Sequence, residues 1–167
     1  MPIIAAWTFA AALAAPLQAA PACPATPAPP PAELSGWSAM APIGAGADAA
    51  AVAPLAIGRG ARATLVPSAT LRFARAPEKA AAPGSFGGLF AVTVARAGRY
   101  RIALGEGAWV DVIDGDRILA SVAHGHGPAC SPVRKMVDFD LAPGRYILQV
   151  AGARGATLPL LVAAVAR

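Results

Sequence analysis

LFAVTVARAGRYRIALGEGAWVDVIDGDRILASVA, residues 89–123, is the stretch that decides the fold. Runs of β-branched, aromatic and other apolar residues alternate here with turns that contain glycine. Each run is about 6–8 residues long, a length that suits strands better than helices. The dipeptide Asp114-Gly115 separates two of the runs and is a strong signal for a two-residue hairpin turn. The stretch therefore predicts a series of consecutive strands.

The same pattern continues on both sides of this stretch. Downstream lie three more apolar runs, KMVDFDL, RYILQVAG and TLPLLVAAV, and upstream ATLVP and TLRFA alternate apolar and polar residues. Short strands at this spacing predict an all-β, antiparallel sandwich or barrel of about eight strands, with no helix. Residues 39–61 are rich in Ala, Gly and Pro and show little periodicity. They predict an irregular arm that packs on the outside of the domain.

Two segments of the chain echo each other. In AGRYRIAL, residues 97–104, and in PGRYILQV, residues 143–150, a turn containing glycine is followed by a strand. Tyr100 and Tyr146 occupy equivalent positions in these strands. We expect both to be corner tyrosines that point inward, with their hydroxyl groups bonded to the backbone near the rim. The echo predicts equivalent strands in two facing sheets.

The N-terminal region differs from the rest of the chain. Its first residues form a short apolar run without a charge, followed by small residues, as in a secretory signal peptide. We therefore expect a signal peptide at 1–20, a proline-rich arm at 21–36 and a β-sandwich domain at 37–167. Trp37 is the expected first core anchor. The predicted location is periplasmic or secreted.

The two cysteines suit one disulfide, Cys23–Cys130, in an exported protein. This bond would tie the N-terminal arm to the AHGHGPAC segment, residues 123–130. Closing a loop of this length contributes ~4 kcal/mol in the chain-entropy model. In the alternative interpretation the cysteines are separate: Cys23 is acylated as a lipid anchor, and Cys130 is a small buried apolar side chain.

The chain is basic, with a formal net charge of +5 at pH 7. Its basic residues are mostly arginines that are scattered singly, and Arg134-Lys135 is the only adjacent pair. No basic run interleaves with aromatic residues, which disfavours nucleic-acid binding. No apolar run reaches the roughly 20 residues that cross a bilayer as a helix, so no transmembrane segment is expected.

From Leu89 to Ala164 the chain resembles the small jelly-roll sandwiches of the pre-peptidase C-terminal type, which are attached to secreted bacterial enzymes. The shared features are AGRY, a Trp-Val-Asp-Val strand with an Asp-Gly hairpin, and APGRYILQV before the last strand. The resemblance implies a jelly-roll fold. It also implies a non-catalytic role in binding surfaces or assisting secretion.

The phrase AHGHGPACSPVRKMVDF, residues 123–139, is similar to a group of small exported bacterial proteins, some of which are labelled homogentisate 1,2-dioxygenase. That enzyme is a much longer cupin protein with an iron site of two histidines and one glutamate. His124 and His126 match the two histidines in type, but the chain contains no matching glutamate motif. The label implies a metal-dependent dioxygenase as the alternative to a binding module.

The two histidines of AHGHGPAC are the only ones in the chain, and they suggest a metal site. On a strand, His124 and His126 would face the same side. Cys130 would supply a third ligand, and Met136 or Asp138 would supply a fourth. Imidazole and thiolate suit zinc or copper, and the dioxygenase label adds iron.

Two further interpretations of the same segment use no metal. In a nucleophilic centre, Ser121 would be activated by His124, with Asp111 or Asp114 orienting the imidazole. In an anchored loop, glycine and proline form a tight connection that Cys130 fixes to the N-terminal arm. The anchored loop accounts for the glycines, the proline and the cysteine together, and it is the interpretation that the sequence favours.

The remaining polar candidates lie on predicted strands. Asp138 and Asp140 alternate with apolar residues and are interpreted as the solvated face of a strand. Trp109 and Asp111 share one strand face and form a candidate ligand surface. The sequence therefore predicts an exported, non-catalytic binding or accessory module of the cell envelope that needs no cofactor. Its expected partner is an envelope ligand of unknown identity, a glycan or a protein.

Overall fold

A computed structural model describes Cys23 and residues 29–166. The predicted signal peptide at 1–20 and positions 21, 22 and 24–28 of the proline-rich arm lie outside these residues. The described residues form one short 3-10 helix, Ala32–Ser38, and twelve strands. The strands are β1 (Met40–Gly44), β2 (Ala53–Pro54), β3 (Gly60–Thr64), β4 (Val66–Pro67), β5 (Phe86–Val94), β6 (Gly98–Leu104), β7 (Trp109–Asp114), β8 (Arg117–Leu119), β9 (Ala123–Gly125), β10 (Lys135–Leu141), β11 (Gly144–Ala153) and β12 (Thr157–Val165).

The strands form two sheets that pack face to face. The first sheet has the order β1-β3-β12-β6-β10-β9, and the second has the order β2-β5-β11-β7-β8, with β4 beside β5. Four antiparallel pairs are nested within one another along the chain: β3 with β12, β5 with β11, β6 with β10, and β7 with β8. This nesting is that of one long antiparallel ribbon folded over itself, as in a jelly roll. The predicted all-β sandwich is confirmed, and the described residues contain twelve strands where about eight were predicted.

The prediction was wrong about the edges of the sheets. β1 pairs with β3 in parallel and β2 pairs with β5 in parallel, so both sheets are mixed rather than purely antiparallel. Residues 39–61 therefore include strands instead of forming an irregular arm. Their pattern was uninformative because edge strands bury few side chains, and only partly buried or exposed residues occur along β1.

The predicted strand TLRFA, residues 70–74, is also absent from the sheets. The amide of Thr70 donates to the carbonyl of Pro67 in a turn, and the chain then runs across the outer face of the second sheet. Leu71 is buried there. The alternating pattern of this segment thus came from a loop that covers a sheet and not from a strand.

The core is divided between two layers. The main layer lies between the sheets and contains the inward-facing residues of both, with Phe90, Leu104 and Leu148 almost fully buried. A smaller layer lies on the outer face of the first sheet, where Leu34 and Trp37 of the 3-10 helix pack against it. Trp37 is therefore a core anchor, as predicted. The helix itself was not predicted, since seven residues are too few to show a helical period.

The same outer face carries a partly buried ion-pair network. Arg101 donates two hydrogen bonds of 2.8 Å to the carboxylate of Asp138. It donates a third, of 2.6 Å, to the carboxylate of Glu33, which precedes the buried Leu34 in the 3-10 helix. Asp138 is buried, so its assignment to a solvated strand face was wrong. The reason is the helix, which covers a face that the strand pattern alone marked as polar. Asp140, two residues on, is exposed and pairs with Arg99 at 3.0 Å.

The two tyrosines of the sequence echo fix one end of the sandwich. The hydroxyl of Tyr100 donates to the carbonyl of Arg96 at 2.8 Å, and that of Tyr146 donates to the carbonyl of Ala142 at 2.9 Å. Their strands, β6 and β11, lie in different sheets, as the echo predicted. Because β10 ends beside the start of β6, both tyrosines lie at the same end, which we call the closed end (residues 96–100 and 141–146).

Candidate functional site

Cavities gather at the opposite end of the sandwich. This open end consists of residues 78–80, 104–109, 124–135 and 151–154, which are loops and strand ends of both sheets. It contains three cavities of about 180, 610 and 400 Å³. The side chain of Lys135, at the start of β10, lines all three. The open end is therefore the candidate functional site, with Lys135 at its centre.

The cavity of about 180 Å³, which we call the Trp109 pocket, lies at the margin between the two sheets. β9 pairs with β10 so that His124 lies directly opposite Val137, and opposed residues project from the same face of a sheet. His124 thus faces the pocket together with core-facing residues of β10. The lining combines apolar and polar side chains: Glu78, Trp109, Val110, Asp111, Leu119, Ser121, His124, Lys135, Val137 and Phe139.

Asp111 forms a buried polar network behind the Trp109 pocket. Its Oδ1 accepts a hydrogen bond of 2.7 Å from Trp109 Nε1, and its Oδ2 accepts one of 3.0 Å from Gln149 Nε2. The backbone N–H of Glu78 also stabilises the carboxylate. Burial nevertheless raises the pKa of Asp111, because removing the charged form from water outweighs these donors. Both oxygens are engaged in holding neighbouring groups in place.

Gln149 connects this network to the loop above it. Its side chain is fully buried on β11; Oε1 accepts from the amide of Ala74 at 2.9 Å, and Nε2 donates to the carbonyl of Arg75 at 3.0 Å. The glutamine therefore supplies hydrogen-bond partners to the amide of Ala74 and to the carbonyl of Arg75 in this loop. Asp111 and Gln149 together hold the loop that contains Ala74 and Arg75 against the second sheet.

Lys135 bridges the two sheets at the open end. Its Nζ donates a hydrogen bond of 2.7 Å to the carbonyl of Ala108 and lies 5.0 Å from the centre of the Trp109 ring. This cation–π contact holds the ammonium group over one face of the indole. Burial lowers the pKa of Lys135, and the positive charge of Lys79 lowers it further, while Asp111 acts in the opposite direction. Two of the three N–H donors of Lys135 remain for other acceptors.

The cavity of about 610 Å³, which we call the histidine cleft, is lined by both histidines. The other lining residues come from the β6–β7 turn, from the end of the AHGHGPAC loop and from the β11–β12 turn: Gly105, Glu106, Gly107, Gly125, Arg134, Lys135 and Arg154. Oε1 of Glu106 is buried and has no hydrogen-bond partner within the described part of the chain. The cleft thus holds several cationic groups and one unsatisfied carboxylate oxygen.

The AHGHGPAC segment is anchored as the sequence predicted. Cys23 and Cys130 form a disulfide, and Cys130 adopts a positive φ of 61°, unusual for a residue other than glycine. Within the loop, Nδ1 of His126 lies 3.3 Å from the carbonyl oxygen of Arg134. The segment is not all loop, however, because Ala123–Gly125 forms the edge strand β9. The bonded sulfur of Cys23 leaves no thiol for a lipid anchor.

The structure separates the residues that the metal interpretation brought together. Cys130 is in the disulfide and has no thiolate to offer. Asp138 pairs with Arg101, and Met136 packs with the 3-10 helix, both on the outer face of the first sheet, whereas His124 faces the pocket. In the described part of the chain, no three His, Cys, Asp or Glu side chains lie close enough together to hold one metal ion.

The residues of the proposed nucleophilic centre are partly assembled. Ser121, His124 and Asp111 all line the Trp109 pocket. The two oxygens of Asp111 are bonded to Trp109 and Gln149, however, and not to the imidazole. Asp114, the other candidate, lies 3.7 Å from Arg117 across the hairpin that the Asp-Gly dipeptide predicted.

Several residues of the open end were not singled out as site residues from the sequence. Lys135 and Arg134 were noted only as the one adjacent basic pair, and Glu106 lies between two glycines at a strand boundary. Gln149 carried the clearest available signal, since it is an amide in the middle of an apolar strand. Trp109 and Asp111, which the sequence did single out, lie at the edge of the Trp109 pocket.

No protein-family model matches the chain, and no curated protein matches it. Among the described residues, no helix has the length and hydrophobicity needed to cross a membrane.

Proposed function

We propose that this protein is an exported, non-catalytic binding module of the cell envelope and that its ligand binds at the open end. The observation that carries the proposal is the convergence of three cavities on Lys135. Ligand sites are concave, and they combine apolar walls with a few well-placed polar groups. The Trp109 pocket and the histidine cleft have this composition.

The covalent structure supports export. The chain has two cysteines, and they form one disulfide between positions 107 residues apart. Disulfides of this kind persist in oxidising compartments and are rare in the cytosol. The apolar run followed by small residues at the N-terminus of the sequence agrees with this compartment.

The rigidity of the open end supports binding. Trp109 is held at its Nε1 by Asp111 and on its face by Lys135, and the loop behind it is held by Gln149. A site whose side chains are fixed before the ligand arrives loses little conformational entropy on binding. Asp111 fits this positioning role, because its two oxygens hold neighbouring side chains in the free protein.

The proposal can be tested by co-sedimentation with purified cell-envelope fragments. We expect the mature protein to bind saturably and the Lys135→Met variant to bind at least about threefold more weakly. Arg145→Met is the matched control, since it removes one positive charge from an exposed side chain near the closed end. Absence of saturable binding, or equal weakening in both variants, would overturn the proposal.

A further inference from the structure

The charges of the histidine cleft point to the chemistry of the ligand. Arg134, Lys135 and Arg154 line the cleft together with a single carboxylate, that of Glu106. Within the described part of the chain, none of these three cations forms an ion pair. By contrast, Arg101 on the outer face of the first sheet is paired with two carboxylates. A negatively charged group on the ligand would supply the missing counter-charge, and guanidinium groups recognise such anions with paired hydrogen bonds.

The carboxylate in the cleft requires a second kind of group on the ligand. Oε1 of Glu106 is buried without a hydrogen-bond partner among the described residues. Buried polar atoms are almost always hydrogen-bonded, so this oxygen calls for a donor. An anion without hydrogen-bond donors, such as a carboxylate alone, does not supply one, whereas a hydroxyl group does. The ligand should therefore carry hydroxyl groups beside its negative charge.

The shape of the cleft admits a ring-sized ligand close to the backbone. Its volume of about 610 Å³ lies within the range of about 300–1,000 Å³ usual for small-molecule sites. Gly107 and Gly125 line the cleft, and a Cβ added at either position would meet open space. Because glycine has no side chain, this space is available to a ligand. The Trp109 ring lies next to Lys135 and can report on occupancy by its fluorescence.

From these contacts we infer that the histidine cleft binds an acidic saccharide, with Arg134, Lys135 and Arg154 contacting its anionic group and Glu106 accepting from a hydroxyl. This inference rests on the proposed function and specifies its ligand. The shared chemistry is an anion on a polyhydroxylated ring, and both uronic acids and sugar phosphates have it. The two sources are separated in the test below.

The test uses the mature protein and measures the fluorescence of Trp109 in a Trp37→Phe background. The probes are an oligogalacturonide, the same oligomer as its methyl ester, glucose 6-phosphate and inorganic phosphate. The methyl ester is the matched control because it keeps the ring hydroxyls and loses the charge. We expect at least one acidic sugar to bind about tenfold or more tightly than both the ester and inorganic phosphate. If the oligogalacturonide binds more tightly, the ligand is a uronate; if glucose 6-phosphate binds more tightly, the ligand is a sugar phosphate.

Variants assign the contacts. Arg134→Gln combined with Arg154→Gln should weaken binding of the acidic sugar by about tenfold or more, and Arg145→Gln near the closed end should not. Glu106→Ala should weaken binding of the acidic sugar, but not of inorganic phosphate. The inference is overturned if the ester binds as well as the acid, if phosphate alone binds as tightly as the sugars, or if the arginine variant keeps its affinity. Saturable envelope binding that no acidic sugar displaces would overturn this inference and leave the proposed function standing.

Discussion

The two ends of the sandwich differ in the size of their cavities and in how the polar groups beside those cavities are satisfied. At the closed end, the hydroxyls of Tyr100 and Tyr146 are bonded to nearby carbonyls, Arg99 pairs with Asp140, and the cavity between the tyrosines measures about 10 Å³. At the open end, cavities of several hundred Å³ meet at Lys135, and cations line them without carboxylate partners in the described residues. Both ends belong to the same strands, so the sheet topology alone does not account for this difference.

This difference suggests that the closed end contributes mainly to stability and the open end mainly to ligand binding. Polar groups that are paired within the protein stabilise it and have little left to offer a ligand. Polar groups that stay unpaired beside a cavity are available for binding. We therefore expect changes at the closed end to alter the free energy of unfolding alone. Changes to the cleft cations should alter ligand affinity, and changes to the anchors of the open end should alter both.

The largest expected effect follows removal of the disulfide, which anchors the open end. The bond joins positions 107 residues apart, and its loss should lower the free energy of unfolding by ~4 kcal/mol in the chain-entropy model. Cys130→Ser and Cys23→Ser should give the same result in urea denaturation. A loss below ~1 kcal/mol in either variant would mean that the N-terminal arm contributes little to the fold.

The next largest effect is expected at Asp111. Asp111→Ala leaves Trp109 Nε1 and Gln149 Nε2 each without one acceptor in a buried setting. We expect the free energy of unfolding to fall by about 2–4 kcal/mol, as measured by denaturant titration. Asp114→Ala at the exposed hairpin is the control and should change it by less than about 0.5 kcal/mol. Similar values for the two variants would argue against a structural role for the network.

A smaller effect is expected from the tyrosines of the closed end. Tyr100→Phe and Tyr146→Phe each remove one hydrogen bond to a carbonyl and leave the ring in place. Each should lower the free energy of unfolding by about 1 kcal/mol, because each hydroxyl donates to a different carbonyl. Affinity for the acidic sugar should not change in either variant. A change in affinity would break the division between the two ends.

The smallest effect is expected from the titration of Lys135. Burial lowers the pKa of its ammonium below the usual 10.5; Lys79 adds to this, Asp111 opposes it, and Glu78 and His124 line the same pocket. The ammonium form binds an anion and the neutral amine does not. Affinity for the acidic sugar should therefore fall as pH rises through the lowered pKa.

The fall should be about threefold, since the two arginines of the cleft keep their charge. It can be followed by fluorescence titration between about pH 7.5 and 10.5. Lys135→Arg keeps the positive charge over this range and should give a flat profile. An equal fall in this variant would assign the pH dependence to another group.

Local sequence patterns were enough to predict the framework of the fold. The Asp114-Gly115 hairpin, the corner tyrosines Tyr100 and Tyr146 and the Cys23–Cys130 disulfide each depend on a few residues or on a single pairing. Each was confirmed. The period-2 runs gave the main strands, because a strand between two layers shows its buried face directly in its sequence.

Features that depend on long-range packing could not be predicted in this way. Asp138 looked like a solvated residue, because nothing in its own strand reveals that a helix more than a hundred positions earlier covers that face. Residues 70–74 looked like a strand because their apolar and polar residues alternate, although Leu71 alone among them is buried. The meeting of Lys135 with Glu106 and Arg154 requires three separate turns to reach the same end of the sandwich.

The most direct test of the account is to map the ligand onto both ends of the molecule at once. We would titrate the ¹⁵N-labelled protein with the acidic sugar and follow the amide resonances by NMR. We expect shifts at Glu106, Gly107, Gly125 and Arg134, with the amides of the closed end unchanged. Shifts centred on the closed end, or shifts spread evenly over the surface, would contradict the claim that the open end is the binding site.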